Sequence, residues 1–284
     1  MDMVTKLGVL GAGTMGGGIA HTAAQAGFEV YVYDTKEGQV DRALDGIRQR
    51  LDRAVAQGKE SAEAAAATLA RIHPVSDLAA FEQVEAAIEA VVEVMAVKKD
   101  AFAELDRRLP PGALLASNTS SFSITELAQS TRRRDRVVGM HFFNPAPVMK
   151  LVEVVRGEDT SDETVAEARE LAHRMGKETV VVQKDTPGFI VNRVLIPLFI
   201  EAIRILEEGI ASAEDIDKAV KLGLNHPMGP LTLADLTGLD VDLNVMDYLF
   251  QETHDPRFAA PLTLRRLVRA GRLGRKTGRG FYTY

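Results

Sequence analysis

The chain contains no cysteine and no tryptophan. Without cysteine there are no disulfides, thiolate metal sites, iron–sulfur clusters or cysteine nucleophiles. The same absence fits a reducing cytoplasm. An excess of positive charge is also missing: 34 Lys and Arg against 40 Asp and Glu leave a formal net charge of −6. Generic attraction to nucleic acid or anionic membrane is therefore not expected. Long apolar runs are missing too. The most apolar late stretch, Gly188 to Ile200, is cut by Asn192 and Arg193, so nothing is expected to span a bilayer. Met1 to Leu10 carries Asp2 and Lys6 and runs into glycine-rich sequence, which does not read as a signal peptide. What is present is ordinary globular material: 284 residues, 46% hydrophobic and 26% charged. That is enough for a sizeable core in one large domain or two ordinary ones.

The first half alternates short β-like runs with helical patterns. Strands are predicted at Lys6–Leu10, Glu29–Tyr33, Ala86–Val94, Ala113–Ser117, Val137–Phe142, Leu151–Val155 and Thr179–Val182. Helices are predicted between them, at Thr14–Ala26, around Lys98–Leu109 and at Ser161–Met175. Another carries Val40, Leu44, Ile47, Leu51 and Val55 on one face, and a further start lies at Ser61. This alternation implies a mainly parallel sheet with helices on both faces. After Val182 the strand signal stops. Gly188–Glu208 reads as one long helix, followed by Ser212–Leu222, Leu231–Leu236, Val241–Thr253 and Leu262–Ala270. The fold class is α/β followed by an all-α domain. The expected boundary is near Lys184, giving domains over 1–184 and 185–284.

Gly11-Ala12-Gly13-Thr14-Met15-Gly16 is a G-x-G-x-x-G run that follows a strand, opens a helix and precedes Asp34 at the end of the second strand. That context is what a dinucleotide site needs. The first glycine permits the turn, the second lets backbone approach a pyrophosphate, and the third lets helix pack on sheet. The helix N-terminus then faces a negative ligand. Asp34 accepts ribose hydroxyls and repels a 2′-phosphate, which favours NAD over NADP; Lys36 opposes that slightly.

None of the six histidines lies in a close His-x-x-x-His or acid-rich cluster, so no metal site is expected. His141 closes a strand and leads into Phe142-Phe143-Asn144-Pro145. Ligands of parallel sheets sit beyond the carboxyl ends of strands. Glu153 lies among apolar neighbours on the next strand, where a carboxylate is costly unless paired. Pairing with His141 would raise the imidazole's basicity and set its tautomer. A structural histidine and an outward-facing edge-strand glutamate are the alternatives. Ser117-Asn118-Thr119-Ser120-Ser121 follows another strand and belongs to the same rim, or else caps the helix at Ile124. Arg265 to Arg279 is basic throughout, and Arg132-Arg133-Arg134-Asp135-Arg136 reads as an exposed turn. Nucleic-acid binding is one reading of the basic tail. A solvated helix face is favoured, because no aromatic residue interleaves it before Phe281.

GAGTMG, SNTSS, GMHFFNPAPVMKLVEVV, DTPGFIVNR, HPMGPL and GRKTGRGFY together resemble the 3-hydroxyacyl-CoA dehydrogenase family over essentially the whole chain. The likeness is greatest to the stand-alone bacterial members acting on 3-hydroxybutyryl-CoA. The resemblance implies a Rossmann-like NAD-binding domain and a helical C-terminal domain that dimerises, with the active site in the cleft. It implies His141 as general base, Glu153 as its acidic partner, Ser120 as the hydroxyl contacting substrate and nicotinamide, and Asn192 as a substrate-site amide. It places Asn144 near substrate and cofactor, and Glu93, Lys98 and Lys276 at the cofactor beside Gly11, Ala12, Gly13, Thr14, Met15, Gly16 and Asp34. Val94 departs from the family, which usually has a polar residue there. The CoA phosphates would be met by basic residues after Asp34, with Arg48, Arg50, Arg53 and Lys59 on offer.

The resulting expectation is a cytoplasmic, homodimeric NAD-dependent (S)-3-hydroxyacyl-CoA dehydrogenase of fatty-acid metabolism, most simply interconverting 3-hydroxybutyryl-CoA and acetoacetyl-CoA. It needs no metal, nucleic acid or membrane. A dehydrogenase of a free hydroxy acid, of the gulonate dehydrogenase and lambda-crystallin kind, is one alternative. A non-catalytic NAD-binding protein is another. A nucleotide-sugar dehydrogenase with a catalytic cysteine is excluded by composition.

Overall fold

The computed structural model describes residues 4–284. Met1, Asp2 and Met3, part of the stretch read as lacking signal-peptide character, lie outside the described residues. The chain divides after Asp185 into two compact units.

In the first unit, β1 (Lys6–Leu10), α1 (Thr14–Gln25), β2 (Glu29–Tyr33) and α2 (Gln39–Ala56) open the chain. They are followed by α3 (Ala62–Ala70), β3 (Ile72–Pro74), β4 (Ala86–Glu89) and α4 (Met95–Arg108). Next come β5 (Leu114–Ser117), α5 (Ile124–Ala128), β6 (Val137–Phe142) and β7 (Leu151–Val155), and then α6 (Asp162–Arg174) and β8 (Glu178–Val182). The strands form one eight-stranded sheet in the order β3-β2-β1-β4-β5-β6-β7-β8. Every neighbouring pair is parallel except β6 and β7. β4, β5 and β6 are buried at every residue, as strands covered on both faces must be. The chain winds out from β1 to β3 and then returns to β4, which makes the β1/β4 boundary a topological switch point.

Several boundaries differ from the sequence reading for local reasons. β4 ends at Glu89 rather than continuing to Val94, because the Glu89 carboxylate takes the Val91 N–H at 2.7 Å and turns the chain out of the sheet. β3 has only three residues, too few to show periodicity. The arginine-rich turn is not simply exposed. Arg133 donates to Asp106 and to the carbonyls of Asp106, Leu109 and Pro110, and Arg136 donates to Gly112 O and Glu167. These bonds fasten the turn to the end of α4 and the loop after it and, through Glu167, to α6. Serine caps mark other starts: Ser61, Ser123 and Ser161 each accept the N–H three residues on.

The second unit holds α7 (Val191–Glu207), α8 (Ala213–Gly223), α9 (Pro230–Thr237), α10 (Leu239–Thr253) and α11 (Leu262–Arg269). α7 begins three residues later than expected. Gly188 and Phe189 both take positive φ, 74° and 51°, a conformation that a helix cannot include. Ile196, Phe199, Ile203, Leu231, Met246 and Leu249 form its core. The C-terminal segment is fastened by Asp235, only 1% exposed, which accepts the Phe281 and Tyr282 N–H groups at 2.9 Å. Among the described residues, no helix is long and apolar enough to cross a membrane.

Candidate active site

The turn after β1 is shaped by glycine. Gly11 sits at φ 99°, which only glycine adopts readily. A Cβ on Gly16 would stand 1.8 Å from Gly11 O, so α1 can start this close to the sheet only without one. Gly13 is different. A Cβ there would meet nothing within 4 Å, leaving open space over the N-terminus of α1. Exposed N–H groups and a bare backbone facing open space are what a pyrophosphate needs. The Asp34 carboxylate is held by the backbone N–H groups of Ala12 (2.7 Å) and Lys36 (2.8 Å). A carboxylate has about four acceptor sites, so two bonds leave capacity for ribose hydroxyls. Gln39 Nε2 donates to Ala12 O at 3.0 Å and completes the clasp on the loop. Thr14 and Met15 open α1 itself. These residues fit a dinucleotide.

The second group lies where β4 and β5 end. Lys98 Nζ, 1% exposed, lies 2.7 Å from Glu89 Oε1 and 3.1 Å from Glu93 Oε2. Glu93 in turn accepts the Thr119 hydroxyl and, at 3.2 Å, the Ser120 N–H. Ser117 Oγ donates to Glu89 Oε2 at 2.7 Å, and Asn118 Oδ1 accepts the Phe142 N–H at 2.9 Å. The Ser120 loop is thus tied both to β4 and to the end of β6.

The third group is the antiparallel step in the sheet. Its register sets His141 of β6 directly opposite Glu153 of β7. His141 Nδ1 donates to Glu153 Oε2 at 2.6 Å, and both residues are buried, at 6% and 0%. β7 lies between β6 and β8, so Glu153 is not on an edge strand. The His141 ring packs against Phe143 with centroids 4.4 Å apart. Asn144 is exposed in the following loop, whose Ala146 and Met149 carbonyls accept from buried Lys177 Nζ at 2.6 and 2.9 Å.

The structure therefore gathers His141 with Glu153, and Ser120 with Glu93 and Lys98, at the carboxyl ends of neighbouring strands. Asn192 and Lys276 belong to the second unit. Asn192 lies in the first turn of α7, and Lys276 is ion-paired with Asp240.

Residues 6–186 match the family described as 3-hydroxyacyl-CoA dehydrogenase, NAD binding domain, and residues 188–284 match the 3-hydroxyacyl-CoA dehydrogenase C-terminal domain. The chain belongs to the 3-hydroxyacyl-CoA dehydrogenase family. It is 48% identical over 281 residues to a probable 3-hydroxybutyryl-CoA dehydrogenase of Bacillus subtilis, a match covering 99% of this chain and 98% of that protein. Among solved structures it resembles FadB2 of M. tuberculosis, with TM-score 0.97, 46% identity and 100% of both chains covered. It also resembles (S)-3-hydroxybutyryl-CoA dehydrogenase PaaH1 of Ralstonia eutropha, with TM-score 0.95, 44% identity and 99% of both chains covered. The chain is an NAD-dependent oxidoreductase with a Rossmann-like first unit.

Three residues of this candidate site were not singled out from the sequence. Glu89 left one signal, a single acid inside the apolar run Ala86–Val92. Asn118 was visible only as part of a polar loop, and Gln39 as an ordinary helix residue.

Proposed function

We propose that the chain interconverts (S)-3-hydroxybutyryl-CoA and acetoacetyl-CoA, with His141 as the proton-transferring group. The observation that carries this reading is the buried His141–Glu153 pair at the carboxyl end of β6, beside the tethered Ser120 loop. NAD, when bound, supplies the hydride acceptor for oxidation and, reduced, the hydride donor for the reverse reaction. The chain's own residues handle the proton. With Nδ1–H committed to Glu153, the Nε2 atom of His141 is the basic nitrogen, and it takes the 3-hydroxyl proton as the C3–O bond becomes a carbonyl. Glu153 stabilises the imidazolium that forms. In reduction the imidazolium returns the proton to the oxygen. Ser120 holds that oxygen, Asn192 is the substrate-site amide that orients the acyl chain, and Asn144 serves substrate and cofactor. Glu93, Lys98 and Lys276 complete the cofactor contacts.

The domains carrying these roles are 1–184, binding NAD, and 185–284, binding substrate and dimerising. α2 and the turn after it offer Arg48, Arg50, Arg53 and Lys59 to the phosphates of CoA. The setting is a cytoplasmic enzyme of fatty-acid metabolism.

The test is NADH absorbance with purified protein. Acetoacetyl-CoA should be reduced with NADH and acetoacetate should not. Turnover of the free acid at a comparable rate would favour a hydroxy-acid dehydrogenase. No turnover of either, with NAD still bound, would mark a non-catalytic binding protein.

A further inference from the structure

Glu89 occupies a position where the sheet has no need of charge. It ends a strand buried at every residue, and it is itself 0% exposed. Burying a carboxylate costs several kcal/mol unless it is fully paired. Here both oxygens are paired. Oε1 accepts from Lys98 Nζ and the Val91 N–H, both at 2.7 Å, and Oε2 accepts from Ser117 Oγ at 2.7 Å. Stability alone does not account for the arrangement. An apolar pair of similar volume usually serves a core as well as a buried ion pair, or better. What an apolar pair could not do is hold other polar groups in place.

Two branches leave Glu89, and both end on the same loop. One runs through Lys98 Nζ to Glu93 Oε2 at 3.1 Å, and from Glu93 Oε1 to the Ser120 N–H at 3.2 Å. The other runs through Ser117 Oγ, which accepts the Thr119 N–H at 3.1 Å. The Glu89 backbone joins in, its carbonyl accepting the Asn118 N–H at 2.8 Å. Thr119 Oγ1 closes the loop by donating to Glu93 and accepting the Phe122 N–H at 3.1 Å. Lys98 is the junction. It is shared by two carboxylates, and its position between them depends on both charges.

We propose that Glu89 is a positioning residue for the dehydrogenase site. Its charge keeps Lys98 from collapsing onto Glu93, so that Glu93 stays bonded to Thr119 and to the Ser120 backbone and holds the Ser120 hydroxyl in register with His141. This rests on the reading of Ser120 as a substrate-contacting residue. In Glu89→Gln the shape is kept and the charge is lost. Lys98 then draws Glu93 away from the loop, and residues 117–122 loosen.

The experiment compares Glu89→Gln with Glu89→Asp by three readouts. Steady-state reduction of acetoacetyl-CoA should show kcat lowered about 10- to 100-fold in Glu89→Gln, the scale of a catalytic group displaced by about 1 Å. Binding of ADP-ribose, which reports the Gly11–Gly16 turn and Asp34, should stay within about twofold. Amide exchange over 117–122 should quicken. Glu89→Asp keeps the charge and should recover part of kcat and of the exchange protection. A role in packing alone gives the opposite order, because glutamine matches the volume better than aspartate. That order, or wild-type kcat and exchange in Glu89→Gln, overturns the proposal. Should the Glu89 variants fail to fold, Ser117→Ala cuts one branch and keeps the charge. Faster exchange over 117–122 with a lowered kcat supports the proposal, and wild-type behaviour in both overturns it. Ser120→Ala separates the two levels. If it keeps full kcat, the reading of Ser120 fails. If it is slow while the Glu89 variants behave as wild type, only the role of Glu89 fails.

Discussion

Asp242 shows how far one environment moves one carboxyl. It is 6% exposed, and burial, together with the charges of Asp240 and Asp235, pushes it up to about 8. The Thr237 hydroxyl, 2.9 Å from both Asp242 oxygens, opposes that shift by donating to the charged form, and burial outweighs it. The unfolded chain releases this proton near pH 4. Between about pH 4 and 8 the folded state therefore holds a proton that the unfolded state does not. Stability falls as pH rises through that window, with a slope of up to about 1.4 kcal/mol per pH unit, and the loss is complete above it. Asp242→Asn does not titrate. Thermal unfolding at several pH values should show the Tm of the variant gaining on the wild type as pH rises through the window. A constant difference in Tm would mean that Asp242 is ionised in the fold.

At the scale of elements, the turn from β1 into α1 gives two glycines different duties, and substitution separates them. Gly13 has φ −69° and open space where a Cβ would go, so Gly13→Ala should fold with unchanged Tm. Its methyl group would stand where a pyrophosphate approaches, and NAD binding should weaken about tenfold or more. Gly16→Ala meets backbone at 1.8 Å and should lose Tm as well. Calorimetric titration with NAD and a melting curve distinguish the two, and wild-type NAD affinity in Gly13→Ala would remove the loop from the cofactor site. Much of this level was legible in the sequence. Short apolar runs located β1, β2, β6 and β7 to the residue, because buried strands of five or six residues read as near-continuous apolar segments. β3 and the true end of β4 were not legible. The first is too short to carry a period, and the second is decided by a side chain bonding to its own turn. The antiparallel β6–β7 step was not legible either, since an apolar run does not reveal strand direction. His141 and Glu153 were each legible as candidates. Their facing register comes from that step.

At the scale of the whole molecule, the change from alternating strands and helices to helices alone could be seen in the chain, since the strand signal ends at Val182 and the first unit ends at Asp185. Assembly is a further matter. The second unit leaves Leu222, Leu224, Leu236, Val241 and Leu262 between 47% and 76% exposed. The proposed dimerisation through this unit would cover some of them. Light scattering at micromolar concentration should therefore report a dimer, and a monomer there would contradict the proposed assembly. The proposed activity rests on the His141–Glu153 pair, and the most direct test is single-turnover hydride transfer in His141→Gln saturated with NAD. A lost general base should slow the transfer by about 10²–10⁴, while NAD affinity survives because the Gly11–Gly16 turn and Asp34 are untouched. Near-wild-type hydride transfer, or a folded variant that no longer binds NAD, would contradict the account.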